Sequence, residues 1–149
     1  MTATVLTTDR IVLDGTARTR DEAIAEGARL LEAAGAVTSE YHAAMLAREE
    51  LTSTFMGNHL AIPHGTNDAK DAIKASAMTI VRYAEPIDWD GDPVRVVAAI
   101  AGKNGEHMSV LSALALVFSD EEAVERLLVA PDAETVLAML GDVNDAVAE

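Results

Sequence analysis

The chain contains no cysteine among its 149 residues. That excludes disulfides, thiolate metal sites and a cysteine nucleophile. Aromatic residues are scarce too, at 3%, although half of the residues are hydrophobic. The core must therefore be built from Ala, Val, Leu, Ile and Met. No apolar run approaches the roughly 18 to 20 residues that a membrane span requires. The opening, MTATVLTTDR, lacks a basic segment followed by an apolar stretch, which argues against a secretory signal. A soluble cytoplasmic protein with no membrane insertion is expected. Cations are few as well: 11 Lys and Arg stand against 25 Asp and Glu, giving a formal charge of −14. Nucleic acids and anionic membranes need a cationic footprint, so neither is an expected partner. The acidity itself has two readings, ordinary solubility or steering toward a partner with a basic patch.

The length suits one domain with a single well-buried core, spanning residues 1–149. Residues 1–9 are expected to be a flexible N-terminal segment and residues 142–149 a C-terminal tail. Ile11-Val12-Leu13 reads as a short strand. Thr19-Arg20-Asp21-Glu22 fits a capping box that opens a helix to about Ala34, with Gly35 as its stop and Ile24, Ala28 and Leu31 as its inward stripe. A second helix is expected over about Ser39 to Glu50, with Tyr41, Ala44, Met45 and Arg48 facing inward. Gly57 to Thr66 reads as irregular and Asn67 to Lys74 as a short helix. Ala75 to Tyr83 and Val94 to Ala101 read as strands, the second nearly all apolar and so central. Ile87-Asp88-Trp89 before Asp90-Gly91 suggests a separate short edge strand. Asn104-Gly105 marks a turn, and a helix follows over about Glu106 to Phe118. A second capping box, Ser119-Asp120-Glu121-Glu122, opens a helix to about Val129, and a last helix covers about Asp132 to Leu140 before Gly141. The alternation of strands and helices indicates an α/β sandwich without a regular βαβ array.

The four histidines carry most of the chemical interest. His42 lies off the apolar stripe of its helix and is expected to be exposed, while the role of His59 in the loop stays open. His64 stands in Leu60-Ala61-Ile62-Pro63-His64-Gly65-Thr66. Pro63 fixes its own φ and biases Ile62 toward an extended conformation. Gly65 removes bulk beside the imidazole. The loop then enters the expected helix near Thr66 and Asn67, so a rigid imidazole would stand beside a helix start suited to an anion. A structural loop histidine fits the same triplet. His107 falls in the first turn of its helix, in register with Leu111, Leu114 and Phe118, and is expected to face inward. There it could donate to an anion held by the helix dipole, or bond a backbone carbonyl in the core. Arg48 likewise admits two readings, a cation at the site or a cap on its own helix C-terminus.

Taken together, His64, His107 and Arg48 make chemical sense as a phosphoryl site. One nitrogen of a neutral imidazole is a nucleophile near neutral pH, and the other would donate to a backbone carbonyl and fix the tautomer. His107 and Arg48 would offset charge on the transferred group. No carboxylate cluster with magnesium spacing and no glycine-rich phosphate loop accompanies them, so no cofactor is expected and the donor should be a phosphorylated protein rather than ATP. The alternative of a histidine metal site, using His64, His107 and His59, finds no supporting ligand spacing.

Two stretches of the sequence resemble a known family. One is Ala44-Met45-Leu46-Ala47-Arg48-Glu49-Glu50-Leu51-Thr52, Gly57 and Leu60-Ala61-Ile62-Pro63-His64-Gly65-Thr66. The other is Asn104-Gly105-Glu106-His107-Met108 followed by the helical stretch Leu111 to Leu128. Over about residues 11 to 140 the chain is similar to the mannitol-type enzyme IIA domain of the bacterial phosphotransferase system. The resemblance implies a single-domain α/β fold with a mixed sheet of four to five strands, flanked by helices on both faces. It implies a phosphotransferase component in which His64 receives a phosphoryl group from the phosphohistidine of HPr and passes it to a cysteine of enzyme IIB, with His107 and Arg48 supporting the group. Enzyme IIB is then expected as a separate chain, working with membrane enzyme IIC. Where the family often has an acidic residue after the loop glycine, this chain has Asn58-His59. A fructose-type or nitrogen-regulatory IIA protein, acting as a phosphorylation-dependent regulator, is the alternative.

Overall fold

The computed structural model describes residues 5–103 and 107–140, and for Asn67, Asp68, Lys70 and His107 it describes the backbone alone. Two long strands form the middle of the molecule, β4 (Ala77–Trp89) and β5 (Asp92–Ala101). Their sequences are β-branched or small and almost free of charge at the inner positions, which suits a strand covered on both faces. They form one hairpin. Asp90 and Gly91 at its tip both have positive φ (55° and 100°), the twist-matched turn that joins antiparallel strands tightly. The expected edge strand at Ile87–Trp89 is thus the continuation of β4, paired through Ile87↔Val94 and Trp89↔Asp92 after a register irregularity beyond Arg82. Trp89 is fully buried rather than at an edge.

Three short strands complete the sheet. β1 (Ile11–Val12) lies parallel to β4, and β2 (Phe55–Gly57) and β3 (Leu60–Ala61) form a hairpin whose second strand runs parallel to β5. The order is β1-β4-β5-β3-β2, a mixed five-stranded sheet. The stretch expected to be irregular, Gly57 to Thr66, therefore takes in the last residue of β2 and the whole of β3. Its turn, Asn58-His59, has φ of 49° and 71° with no glycine at either position.

Side-chain alternation along β4 and β5 splits the core into two layers. Met78, Ile80, Val96, Ala98 and Ile100 face α3 (His107–Phe118), α4 (Glu121–Leu128) and α5 (Ala133–Leu140). Val81, Tyr83, Val97, Ala99 and Ala101 face α1 (Arg20–Ala33) and α2 (Tyr41–Leu51). Helices therefore cover both faces, and among the described residues none is long and apolar enough to cross a membrane.

The helix ends follow their sequence signals, with two adjustments. Thr19 caps α1 by accepting from the Glu22 amide, and the Glu22 carboxylate reaches back to the Arg18 amide, one residue beyond the usual reciprocal partner. Gly35 follows with φ 77°. At α4 the cap is Asp120 rather than Ser119, its carboxylate accepting from both the Glu122 and Ala123 amides. Gly27 lets α1 approach the sheet: a Cβ there would stand 2.6 Å from that of Ala99.

The expected flexible N-terminal segment gives way at Val5. Val5 and Leu6 are fully buried, and the Met78 amide donates to the Val5 carbonyl at 2.9 Å. Gly141, residues 142–149 and the Asn104-Gly105 turn lie outside the described residues.

Candidate functional site

The segment that carries His64 leaves β3 and continues beside β5 as an added length of parallel pairing. The Ile100 amide donates to the Pro63 carbonyl at 3.0 Å, and His64 pairs with Ile100 in the parallel sense. Proline has no amide hydrogen to offer a ladder. Here it contributes only its carbonyl, and its fixed φ keeps the chain extended. The His64 imidazole folds back on this segment, with Nδ1 2.8 Å from the Ile62 carbonyl oxygen. A carbonyl only accepts, so Nδ1 is the protonated nitrogen. In the neutral ring that assignment leaves the lone pair on Nε2. The sequence reading expected a ring nitrogen to donate to a backbone carbonyl without saying which, and this contact selects the Nδ1-protonated tautomer.

Gly65 is required by what lies beneath it. Any Cβ there would stand 2.6 Å from Cε1 of Tyr41. The Tyr41 hydroxyl accepts the Gly65 amide at 2.8 Å and donates to the Ile100 carbonyl at 2.8 Å. Burial is the main cause that pushes the Tyr41 phenol up to about 12, with the Gly65 hydrogen bond acting in the opposite direction. The hydroxyl therefore keeps its proton through the neutral range. Tyr41 stands among the apolar stripe of its helix in the sequence, and nothing there marks its hydroxyl as a link to the histidine loop.

Arg48 is the clearest departure from the sequence reading. In the last turn of α2 the residue that turns fully inward is Glu49, only 2% exposed, while Arg48 is half-buried and donates through Nη1 to the Thr52 carbonyl at 2.8 Å. The cap on its own helix end is thus the contact that Arg48 makes here. Glu49 sits four residues beyond Met45 and eight beyond Tyr41, on the same face as both. Its carboxyl group accepts from the Thr54 amide (2.6 Å), the Thr54 hydroxyl (2.7 Å) and the Trp89 indole (2.9 Å). Thr54 in turn accepts the Ile62 amide at its carbonyl, 3.0 Å away. A chain of hydrogen bonds therefore links the end of α2, where Arg48 stands, to the residue that holds the His64 ring.

The remaining expectations divide. The expected helix after Thr66 is a 3-10 segment over Asn67–Ala72, broken by a kink at Ala69. Its peptide dipoles do not add up as those of a full helix would, and it is too short to serve as an anion-binding helix start. His107 begins α3, as expected, and Val110, Leu114 and Phe118 behind it are buried while Leu111 is half-buried. The orientation of the His107 side chain lies outside what is described, so the meeting of His64 and His107 is not placed. His42 is half-buried rather than exposed, and its Nε2 is enclosed with no hydrogen-bond partner among the described residues. His59 is also half-buried. Its carbonyl accepts the Arg95 and Val96 amides, and its ring borders an open cleft of about 600 Å³ with Arg95 and α4.

Comparison with known proteins agrees with this fold. Residues 4–143 match the family described as Phosphoenolpyruvate-dependent sugar phosphotransferase system, EIIA 2. The mannitol-specific phosphotransferase enzyme IIA component of Halalkalibacterium halodurans is 48% identical over 145 residues, which is 97% of this chain and 100% of that protein. The crystal structure of IIA mannitol from Escherichia coli superposes with a TM-score of 0.85 at 36% identity, covering 91% of this chain and 98% of the other. The IIA mannitol protein of Escherichia coli in complex with phosphorylated enzyme IIB gives a TM-score of 0.87 at 35% identity, covering 92% and 97%. A mixed five-stranded sheet between two helical layers is accordingly shared with these proteins. The chain belongs to the EIIA type 2 family of the phosphoenolpyruvate-dependent sugar phosphotransferase system, as a mannitol-type IIA component.

Proposed function

We propose that this chain is a cytoplasmic phosphocarrier in which Nε2 of His64 takes a phosphoryl group from the phosphohistidine of HPr. It then gives the group to a cysteine of enzyme IIB, for uptake of mannitol or a related hexitol. The observation that carries this reading is the 2.8 Å contact between Nδ1 and the Ile62 carbonyl, which directs the lone pair to Nε2. In the first step that lone pair forms a bond to phosphorus while the phosphorus–nitrogen bond of the donor breaks, and the electron pair returns to the donor imidazole. In the second step a thiolate of enzyme IIB forms the new bond and Nε2 recovers its lone pair. Both steps move a phosphoryl group between nucleophiles of similar strength, so what the protein must supply is orientation and charge stabilisation. Arg48 and His107 are assigned the second task. To reach the phosphoryl group the Arg48 guanidinium has to exchange the Thr52 carbonyl for a phosphate oxygen, which a half-exposed side chain can do.

The test is a reconstituted relay of phosphoenolpyruvate, enzyme I and HPr with this protein, following labelled phosphate. One histidine should be labelled, and His64→Ala should abolish the label. Labelling that survives His64→Ala refutes the assignment. Deleting the coding sequence should also prevent growth on mannitol; unimpaired uptake would favour a phosphorylation-dependent regulator instead.

A further inference from the structure

The imidazole meets the Ile62 carbonyl only at a particular rotation of the His64 Cα about its preceding N–Cα bond, and that rotation is pinned when the peptide planes on both sides of the residue are held. Each backbone dihedral of His64 turns one rigid peptide plane against the Cα. The plane before His64 contains the Pro63 carbonyl, which is held by the Ile100 amide at 3.0 Å. The plane after it contains the Gly65 amide, which is held by the Tyr41 hydroxyl at 2.8 Å. That hydroxyl is itself fixed by donating to the Ile100 carbonyl at 2.8 Å. Both planes are therefore referred to one residue of the central strand, the first directly and the second through a single phenol oxygen. The phenol is fully enclosed, its ring packed under Gly65 so closely that no side chain fits there.

On this basis, and resting on the phosphocarrier reading above, we propose that Tyr41 is a positioning residue for phosphoryl transfer. Its hydroxyl sets the peptide plane after His64 and so aims Nε2 at the incoming phosphorus. It touches neither the donor nor the phosphoryl group. Loss of the hydroxyl leaves the ring and the core in place. It strands the Gly65 amide and the Ile100 carbonyl, and it releases the peptide plane after His64, so the Cα that carries the ring is held from one side only. Small misplacements of a reacting atom cost transfer rate far more than they cost binding.

The test is Tyr41→Phe, assayed by rapid quench with phosphorylated HPr as donor. The maximal rate of phosphoryl uptake should fall by about tenfold to a hundredfold, with the half-saturating donor concentration changed less than about twofold, since the docking surface is untouched. Ile24→Val serves as a control: it loosens the same core layer from α1, leaves the Tyr41 hydroxyl in place and should keep the parental rate. In ¹⁵N spectra of Tyr41→Phe, the Nδ1-protonated tautomer of His64 should lose its dominance. A Tyr41→Phe rate equal to that of Ile24→Val, or a defect confined to the half-saturating concentration, overturns the proposal. Should Tyr41→Phe fail to fold, Gly65→Ala forces the ring and the loop apart from the other side and should give the same loss of maximal rate. An unlabelled His64 in the unaltered protein would instead overturn the phosphocarrier reading, a result distinct from labelled His64 with an unimpaired Tyr41→Phe.

Discussion

Replacing Glu49 by alanine removes one acceptor group from three donors at once. The Thr54 hydroxyl can rotate and find another partner. The Thr54 amide and the Trp89 indole N–H cannot, because both lie in the core. A buried donor left without an acceptor costs about 1–3 kcal/mol, so the two together cost about 2–6 kcal/mol. Water entering the space left by the carboxyl group recovers part of this. The expected loss is about 3–4 kcal/mol, a large share of the roughly 5–15 kcal/mol that holds such a domain together. For a chain of this size it corresponds to a fall in Tm of about 10 °C. Glu49→Gln separates hydrogen bonding from charge. The amide oxygen can accept both N–H groups while its NH₂ donates to Thr54 Oγ1, whose hydroxyl then reverses its role. That variant should stay within about 1 kcal/mol of the parent, since every buried group remains satisfied. Trp89→Phe should cost less in the Glu49→Ala background than alone, because one stranded donor disappears with the indole. Urea unfolding followed by circular dichroism measures all four variants. A Glu49→Ala loss below about 1 kcal/mol, or a Glu49→Gln loss equal to that of Glu49→Ala, would refute the reasoning.

Other outcomes follow from contacts elsewhere. Gly27→Ala should destabilise by about 1–3 kcal/mol despite the better helix propensity of alanine, because its Cβ would meet that of Ala99 on the sheet; a stabilised variant in thermal melts would contradict the close approach. Stability should be lost as pH rises above about 10. Burial holds the Tyr41 proton up to about 12, and burial with the Glu26 hydrogen bond pushes Tyr83 further up, whereas the unfolded tyrosines ionise near 10. The folded state thus binds more protons in that window, by up to about 1.4 kcal/mol per pH unit for each group. Urea midpoints across pH 8–12 should show the decline, and Tyr41→Phe with Tyr83→Phe should flatten it. Asp120→Ala should cost about 1 kcal/mol through the lost cap of α4, measured in the same way. Arg48→Ala should slow phosphoryl uptake about a hundredfold while costing under about 1 kcal/mol of stability. His107→Ala should likewise slow transfer and keep the fold; unfolding would mark His107 as a core residue.

How much of this was legible in the sequence depends on how long each signal runs. The stripe of Ile24, Ala28 and Leu31 runs through the middle of the fourteen-residue α1, and the cap at Thr19 sits where its pattern puts it. β5 is long and apolar enough to declare itself central. The β2–β3 hairpin was hidden because strands of three and two residues are too short to show an alternation, and because its turn uses Asn58 and His59 where glycine is the usual marker. Arg48 and Glu49 are adjacent at the edge of one helical face. Spacing alone does not say which turns inward; the indole of Trp89, forty residues away, decides it. His64 was found from its neighbours Pro63 and Gly65, whose effects are local. Tyr41 was read as core because its second role depends on Ile100, fifty-nine residues along the chain.

The bond from the Asn58 side-chain amide to the Phe118 carbonyl, at 2.6 Å, joins the tip of the β2–β3 hairpin to the far end of α3. The hairpin leads along β3 to His64, His64 lies against β5, and α3 starts at His107 shortly after β5 ends. Asn58 thus straps the hairpin that precedes His64 to the end of the helix that His107 begins. A twelve-residue helix is about 18 Å long, so the strap fastens α3 at the end remote from His107. One side-chain amide is therefore a strut between the two stretches of chain on which the candidate site draws.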